Sequence, residues 1–178
     1  MLQRKFSWND YFTATPVTTI SDLEFNSRHD YSDPNVHILN CLFNNITSTS
    51  DGGALCFINP VTYLLVESSS FFSCKTSAYC GGAIYFYNDN SGECVLYKVC
   101  GNDCNSTHSS GTSYCQFMLS NVKDTASSKN YINFSSTIRC VNENSNAQYT
   151  MSFGYGKILC PSVNISMNKC NQNSGIFC

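Results

Sequence analysis

Carboxylate side chains are the residues of this sequence that could catalyse the cleavage of a substrate. Carboxylates gathered on one face of a fold can cleave acidic polysaccharides, because they bind metal or transfer protons. The chain has eight Asp and four Glu, and only Asp22 and Asp51 are separated by the 29-residue period described below. No nucleophile elbow, phosphate-binding loop or dinucleotide motif is present. We therefore predict a non-enzyme without a cofactor, with a polysaccharide lyase or hydrolase as the alternative.

Twelve cysteines form the second chemically active group. The zinc spacing C-x2-C is absent and no histidine lies in a cysteine cluster, so we predict no metal site. Several cysteines are instead placed about one repeat apart, which would bring their Cα atoms to the separation that a disulfide requires. Buried reduced thiols are an equal alternative. The pairs expected to be neighbours, as disulfides or as stacked thiols, are Cys115 with Cys140, Cys74 with Cys104, and Cys140 with Cys170.

Four Asn-X-Ser/Thr sequences are candidates for N-glycosylation. The gaps between them are close to one or two lengths of the repeat described below, so we expect all four to project from the same bend. In an exported eukaryotic protein they would carry glycans along that edge. Alternatively, the bend favours Asn because its side chain bonds neighbouring amides and tolerates the left-handed conformation. The four residues are Asn45, Asn105, Asn133 and Asn164.

A 29-residue repeat defines the elements that must position these residues. The triplet Gly52-Gly53-Ala54 recurs as Gly81-Gly82-Ala83, and Phe57 recurs as Phe86. A fixed period of this size is typical of solenoids. Glycine permits positive φ and close approach of successive coils, while alanine keeps the next inward position small. We therefore expect Phe57 to lie beside Phe86 and the glycine pairs to share a corner.

Short apolar runs within each repeat determine the predicted fold class. Each repeat holds three runs of three to five residues and shows no helical period. This pattern predicts an all-β fold, a right-handed parallel β-helix of about five coils over residues 36–178. Residues 1–35 are polar and are predicted to form an irregular N-terminal cap or tail. Residues 174–178 look like the start of a further strand, which indicates a solenoid that is truncated there or completed by self-association or a partner.

The third coil is more degenerate, because a Ser-Gly-Thr sequence replaces the Gly-Gly-Ala element. This alignment matches Tyr114 with Tyr85 and Cys115 with Phe86, so Tyr85, Tyr87 and Tyr114 would form an outward column. Aromatic columns stack on sugars or anchor protein partners, although the same rings also fill half-buried cross-strand ladders. The alignment also assigns four cysteines to the strand that follows the bend: Cys56, Cys115, Cys140 and Cys178.

Charge and hydropathy exclude several classes of partner. Charged residues make up 12% of the chain and the net charge is -2, which argues against a nucleic-acid or anionic-membrane binder. No apolar stretch is long enough for a transmembrane helix, and no apolar signal-peptide core follows the N-terminus. We therefore predict neither a membrane span nor a conventional export signal in this chain.

The repeats resemble those of the polymorphic outer-membrane proteins, whose signatures are GGA followed by Ile, Leu or Val, and Phe-x-x-Asn. The first signature occurs twice, at residues 52–55 and 81–84. The cysteine-rich and asparagine-rich style is similar to the right-handed β-helix families of trichomonad protozoa. This resemblance covers roughly residues 36–178. It implies that the chain forms a pectin-lyase-like solenoid and that the protein is displayed on the cell surface or secreted. It implies an adhesin-like protein that binds a host-surface protein or glycan; a nonfunctional fragment of a longer family member is the other alternative.

Overall fold

The computed structural model describes residues 7–108, 115–141 and 147–178, and its regular structure is almost entirely β-strand. A single short helix among the described residues, α1 (Trp8–Tyr11), precedes the strands. The strands are β1 (Thr18–Ser21), β2 (Glu24–Phe25), β3 (His29–Tyr31), β4 (Asn35–Leu39), β5 (Leu42–Asn44), β6 (Thr47–Ser48), β7 (Leu55–Ile58), β8 (Tyr63–Glu67), β9 (Ser70–Phe72), β10 (Lys75–Thr76), β11 (Ile84–Tyr87), β12 (Glu93–Tyr97), β13 (Cys100–Asn102), β14 (Asn105–Ser106), β15 (Cys115–Asn121), β16 (Lys129–Asn133), β17 (Ser136–Ile138), β18 (Tyr149–Gly154), β19 (Lys157–Leu159), β20 (Asn164–Ser166) and β21 (Asn173–Phe177).

These strands form three six-stranded sheets and one three-stranded sheet, in which neighbouring strands run parallel. The first sheet has the order β1-β4-β8-β12-β16-β19, and the second has the order β2-β5-β9-β13-β17-β20. The third sheet has the order β3-β7-β11-β15-β18-β21, and the short sheet has the order β6-β10-β14. The chain visits the first, second and third sheets in turn and then returns to the first. The arrangement confirms the predicted all-β class with parallel strands.

Strand register explains both the 29-residue period and its loss. In the first sheet, Val36 pairs with Leu64 and Leu64 pairs with Cys94, and both steps are close to the period. Cys94 then pairs with Asn130 after a longer step, because additional residues lie between these strands. The next step, from Asn130 to Ile158, is again close to the period. From Val36 onward, the segments therefore keep a nearly constant length except at insertions between strands.

The glycine triplets form one corner of the solenoid, immediately before the third sheet. Gly52 and Gly81 have φ angles of 72° and 64°, a region that residues with a Cβ atom rarely adopt. The amide of Gly53 donates to the carbonyl oxygen of Gly81 at 2.9 Å, so successive backbones touch at this corner. A Cβ atom on Gly53 would lie 1.9 Å from the carbonyl oxygen of Gly82. Ala54 and Ala83 follow as fully buried residues.

Inward-facing phenylalanines fill the core beside the second sheet. Phe25, Phe43 and Phe71 stack nearly parallel, with centroid separations of 4.9 and 4.7 Å. At the next position of the column, Gly101 has no side chain, and a Cβ atom there would lie 2.4 Å from the ring of Phe117. Phe117 fills the space and meets Phe71 edge-on at 6.0 Å. The core therefore stays filled even where the sequence column changes.

In the third sheet, Phe57 is the register partner of Phe86, and both rings are fully buried. Tyr31 stacks on Phe57 from the preceding strand at 5.3 Å. Two residues earlier in the same strands, Leu55 is the partner of Ile84. The alternation of buried and outward residues in these strands gives the sheet one face in the core and one outer face.

Residues 7–31 contain elements that the sequence analysis placed in the N-terminal cap or tail. Strands β1, β2 and β3 from this region are members of the three large sheets. Ahead of them, Trp8 and Phe12 pack against Leu65 and Val95 on the outer face of the first sheet. The indole nitrogen of Trp8 donates a hydrogen bond to the carbonyl oxygen of Ala14. The N-terminal segment therefore covers one side of the solenoid.

A buried histidine lies beneath this segment. His37 Nε2 is 3.3 Å from Glu67 Oε2, and the Trp8 ring lies 5.7 Å from the imidazole. Loss of solvent lowers the pKa of His37, and this effect exceeds the opposing influence of the Glu67 carboxylate. His37 is therefore held in its neutral form in the folded protein at neutral pH.

We expect this arrangement to make stability depend on pH. The unfolded chain binds a proton at His37 near pH 6.5, whereas the folded chain binds it only at lower pH, so the free energy of unfolding falls as the pH drops below 6.5. Urea unfolding at a series of pH values should show this loss in the wild type and a smaller loss in His37→Gln, which keeps a donor for Glu67. Parallel loss of stability in the two proteins would contradict this role for His37.

Candidate functional site

The outer face of the third sheet carries two columns of side chains. Register pairs place Tyr85 beside Cys56 and Leu119 in one column and Tyr87 beside Ile58 and Asn121 in the other. The first column continues to Ser152 and Phe177, and the second to Gly154. Because parallel strands repeat about every 4.8 Å, the columns extend the face along the axis of the stack.

The C-terminal half of this face forms a groove of about 660 Å³, which we call the aromatic groove. Its wall is mainly apolar. The polar groups in the wall are the side-chain amide of an asparagine and the hydroxyl groups of a serine and of the tyrosines. None of the lining side chains is charged. The residues are Cys80, Tyr85, Tyr87, Leu119, Asn121, Tyr149, Ser152, Phe153, Gly154, Tyr155, Phe177 and Cys178.

Two pairs of rings form flat surfaces in the aromatic groove. The rings of Tyr85 and Tyr87 are nearly parallel, 11° apart, with centroids separated by 6.3 Å. Tyr149 and Phe177 stack at 4.4 Å, and the Tyr149 hydroxyl donates to Gln172 at 3.1 Å. Tyr87 and Phe177 are 38% and 46% exposed, so each offers area to a ligand. Flat, exposed rings of this kind contact apolar ring faces.

The groove tyrosines are hydrogen-bond donors at neutral pH. Burial raises the pKa of Tyr85, and the nearby Asp89 carboxylate raises the pKa of Tyr87. Both hydroxyl groups therefore stay protonated. The Tyr87 hydroxyl donates to the Asp89 carboxylate at 3.4 Å, so the Tyr85 hydroxyl and the Asn121 amide supply the groove with neutral donors and acceptors beside its flat rings.

The N-terminal half of the same face contains charged side chains. A smaller pocket of about 290 Å³ is lined in part by Arg28, Asp30 and Cys56. The Arg28 guanidinium lies 2.6 Å from the Asp30 carboxylate and donates to the carbonyl oxygens of Asp51 and Gly52. Because protein groups already satisfy the hydrogen-bond donors of Arg28, this pocket is a poor site for an anionic ligand. The aromatic groove is therefore the stronger candidate for a binding site.

The structure does not bring together the two carboxylates that share the 29-residue period, Asp22 and Asp51. Asp22 lies at the corner between the first and second sheets, where its carboxylate accepts from Asn40 at 2.8 Å. Asp51 lies before the third sheet and accepts from the amide of Cys80 at 2.7 Å. Their shared phase was misleading because the first step in the first sheet, from Thr18 to Val36, is much shorter than the period. In the described parts of the chain, no three His, Cys, Asp or Glu residues form a group that could hold a metal ion.

All twelve cysteines are present as free thiols. Cys74 and Cys104 are neighbours, and Cys104 is also in contact with Cys140, so these three thiols form one buried column beside the second sheet. The hydrogen bond with Cys104 and burial raise the pKa of Cys74. The expected placement of Cys140 in the strand after the glycine bend was wrong, because it follows β17 of the second sheet.

Cys115 also has a different neighbour from the one expected. It forms a parallel bridge with Cys80, whereas Cys140 lies in the separate thiol column. Cys170 makes a sulfur contact of 3.6 Å with the Thr150 hydroxyl. The expected pairing of Cys140 with Cys115 assumed a constant repeat length, which fails here because Cys115 pairs with Tyr149 of β18. Cys140 and Cys170 do lie on successive segments, but Val141 pairs with Lys169, so Cys170 is two residues out of register with Cys140.

The four glycosylation sequences do not share one bend. Asn45 is an exposed residue with a φ of 54° after β5, and Asn164 is the exposed first residue of β20. Asn105 lies in β14 and is only 4% exposed, while Asn133 ends β16 of the first sheet. The spacing of the four residues in the sequence is close to the repeat only because insertions between strands compensate for the different places that the residues occupy within their segments. In the folded chain, Asn45 and Asn164 are exposed, Asn133 is half-buried and Asn105 is buried.

The aromatic groove contains more residues than the sequence predicted. Tyr85 and Tyr87 were expected on the outer face, whereas the third member of that column, Tyr114, lies outside the described residues. Leu119 takes the position beside Tyr85 because the step between these partners is longer than the repeat. Tyr149 and Phe177 were not foreseen as groove residues. Recognising them would have required the register of β18 and β21, which the sequence period does not supply.

Within the described residues, no helix has both the length and the apolarity to cross a membrane. No protein-family model matches the chain, and neither a curated protein nor a solved structure matches it.

Proposed function

We propose that this chain is a non-catalytic binding and display solenoid that holds a neutral carbohydrate in the aromatic groove. The observation that carries this proposal is a groove of about 660 Å³ with two pairs of flat rings and no charged lining side chain. Sugar rings have apolar faces that pack on aromatic rings and hydroxyl groups that bond to neutral donors and acceptors. The groove supplies both kinds of contact.

The low charge of the chain also supports a neutral ligand. Charged residues make up 12% of the sequence, and the side chains that line the aromatic groove include none. A nucleic acid or an acidic polysaccharide would need cationic side chains to offset its own charge. Arg28, the cation of the neighbouring pocket, is engaged by Asp30 and two backbone carbonyls.

We also propose the handedness of the solenoid, the number of its coils and the location of the protein. We infer a right-handed winding, because nearly all parallel crossovers within one sheet have that hand. In this interpretation about five coils follow residue 35, and β1 to β3 add the first strand of each large sheet. The pectin-lyase-like type, the adhesin-like role and the surface or secreted location rest on the resemblance of the repeats.

A carbohydrate array followed by calorimetric titration tests the function. We expect the wild type to bind at least one neutral oligosaccharide, and Tyr87→Ala to weaken that binding about tenfold or more, since a stacked ring contributes more than about 1.4 kcal/mol at a binding hot spot. Tyr79→Ala is the matched control, because Tyr79 is also exposed but does not line the groove. Equal weakening by both substitutions, or binding restricted to charged polymers or proteins, would refute the proposal.

A further inference from the structure

The thiol of Cys80 lies at the floor of the aromatic groove and has a second, buried thiol, Cys115, beside it. Cys80 and Cys115 face each other in a parallel β-bridge, and the Gly81 amide donates to the carbonyl oxygen of Cys115 at 3.2 Å. Opposed residues of parallel strands have Cα atoms about 4.8 Å apart, within the range of about 4.4 to 6.8 Å found in disulfides. The two side chains pack in one buried cluster. The backbone therefore holds them where a disulfide can form.

Access distinguishes this pair from the other contacting thiols. Cys80 lines the aromatic groove and is 6% exposed, whereas Cys115 is fully buried behind it. The column of Cys74, Cys104 and Cys140 is fully buried and borders none of the described pockets. A small reagent that enters the groove can therefore reach Cys80 before Cys115, and the two thiols pack against each other.

We propose that Cys80 is a modification site for low-molecular-weight disulfides such as oxidised glutathione, and that Cys115 resolves the adduct. The Cys80 thiolate attacks one glutathione sulfur, breaking the glutathione disulfide and releasing one glutathione thiolate. Burial raises the pKa of Cys115, so its thiolate forms only as its proton passes to the departing glutathione. Its sulfur then attacks the Cys80 sulfur, forms the Cys80–Cys115 disulfide and displaces the second glutathione. The two cysteine protons leave with the two released glutathione molecules, so the protein is oxidised by two electrons and one glutathione disulfide is reduced.

The two steps have opposite effects on the groove. A glutathione molecule on Cys80 would occupy space beside Tyr85, which packs against the Cys80 and Cys115 cluster. Resolution by Cys115 removes this molecule and leaves a compact disulfide at the groove floor. The pair thus keeps the groove open in the presence of small disulfides, and this role does not depend on which ligand the groove binds.

Peptide mapping after exposure to oxidised glutathione tests the proposal. The reduced chain is treated near pH 8, quenched with acid, digested and analysed by mass. We expect the wild type to form the Cys80–Cys115 disulfide with little glutathione on Cys80. Cys115→Ser should accumulate at least tenfold more glutathione on Cys80, and Cys74→Ser, the matched control in the buried column, should behave as the wild type.

Three results would overturn the assignment. The first is that Cys80 stays reduced under conditions that modify the exposed Cys178. The second is that the wild type retains as much glutathione on Cys80 as Cys115→Ser does. The third is that Cys115 pairs with Cys170, whose sulfur contacts Thr150 in β18, the strand beside β15. If Cys115→Ser does not fold, the time course of the wild type still decides, because the adduct on Cys80 must appear before the disulfide.

Discussion

Gly82→Ala is expected to destabilise the chain by about 3 kcal/mol or more and to prevent it from folding stably at physiological temperature. A Cβ atom at this position would lie 2.3 Å from the carbonyl oxygen of Gln116 and 2.5 Å from the carbonyl carbon of Asn105. Both neighbours are backbone atoms of the next segment, so no flexible side chain can move aside. The substitution would force two successive segments apart at the glycine corner.

Thermal and urea unfolding measure this effect, with Gly175→Ala as the matched control. A Cβ atom on Gly175 would have its nearest contact at 3.1 Å, with the flexible side chain of Asn173. The control should therefore change the free energy of unfolding by less than about 1 kcal/mol. Similar stability of the two variants would contradict the close backbone contact at this corner.

Phe86→Ala is expected to cost about 3 to 5 kcal/mol, the range for removing a large ring from a packed core. The Phe86 ring is fully buried and lies beside Phe57 in the register of the third sheet. Tyr87 is the next residue but faces the aromatic groove and is 38% exposed. Tyr87→Ala should therefore cost less than about 1 kcal/mol of folding stability, although it is expected to weaken ligand binding.

Chemical unfolding of these two variants checks the alternation of the strand. A large loss for Phe86→Ala and a small loss for Tyr87→Ala would agree with one inward and one outward side chain. The reverse order would mean that the strand is shifted by one residue, since such a shift exchanges the two faces. It would also remove Tyr87 from the proposed binding surface.

The glycine corner and the parallel strands could be predicted from sequence because the segments that contain them have nearly constant length. Leu55 and its partner Ile84 are separated by the same 29-residue period that is read directly from the sequence. Glycine also has a specific physical reason to recur where backbones touch. Local pattern and long-range packing therefore agree in this part of the chain.

The alignment failed where the segment length changed. Tyr114 and Cys115 were matched with Tyr85 and Phe86, but the partners of Tyr85 and Phe86 are Leu119 and Ser120. This step in the third sheet is longer than the period, because the chain has additional residues between the two strands. A period carries no signal for an insertion inside a loop, so the position of every later residue was shifted.

The aromatic groove could be predicted only in part for the same reason. Tyr85 and Tyr87 come from the regular segment, and their outward direction follows from alternation within one strand. Tyr149 and Phe177 come from strands whose pairing contains register shifts. A surface assembled from several strands depends on every intervening loop length, which neither composition nor periodicity determines.

The most direct test of the account is the register between Leu55–Ile58 and Ile84–Tyr87, because the corner, the core and the groove all depend on it. Nuclear Overhauser contacts in a deuterated sample with protonated phenylalanine and glycine would measure it. We predict contacts between Phe57 and Phe86 and between the Gly53 and Gly82 backbones, with the two strands parallel. Antiparallel contacts, or a Phe57 whose neighbours come from another segment, would contradict the stacked solenoid and the surface built on it.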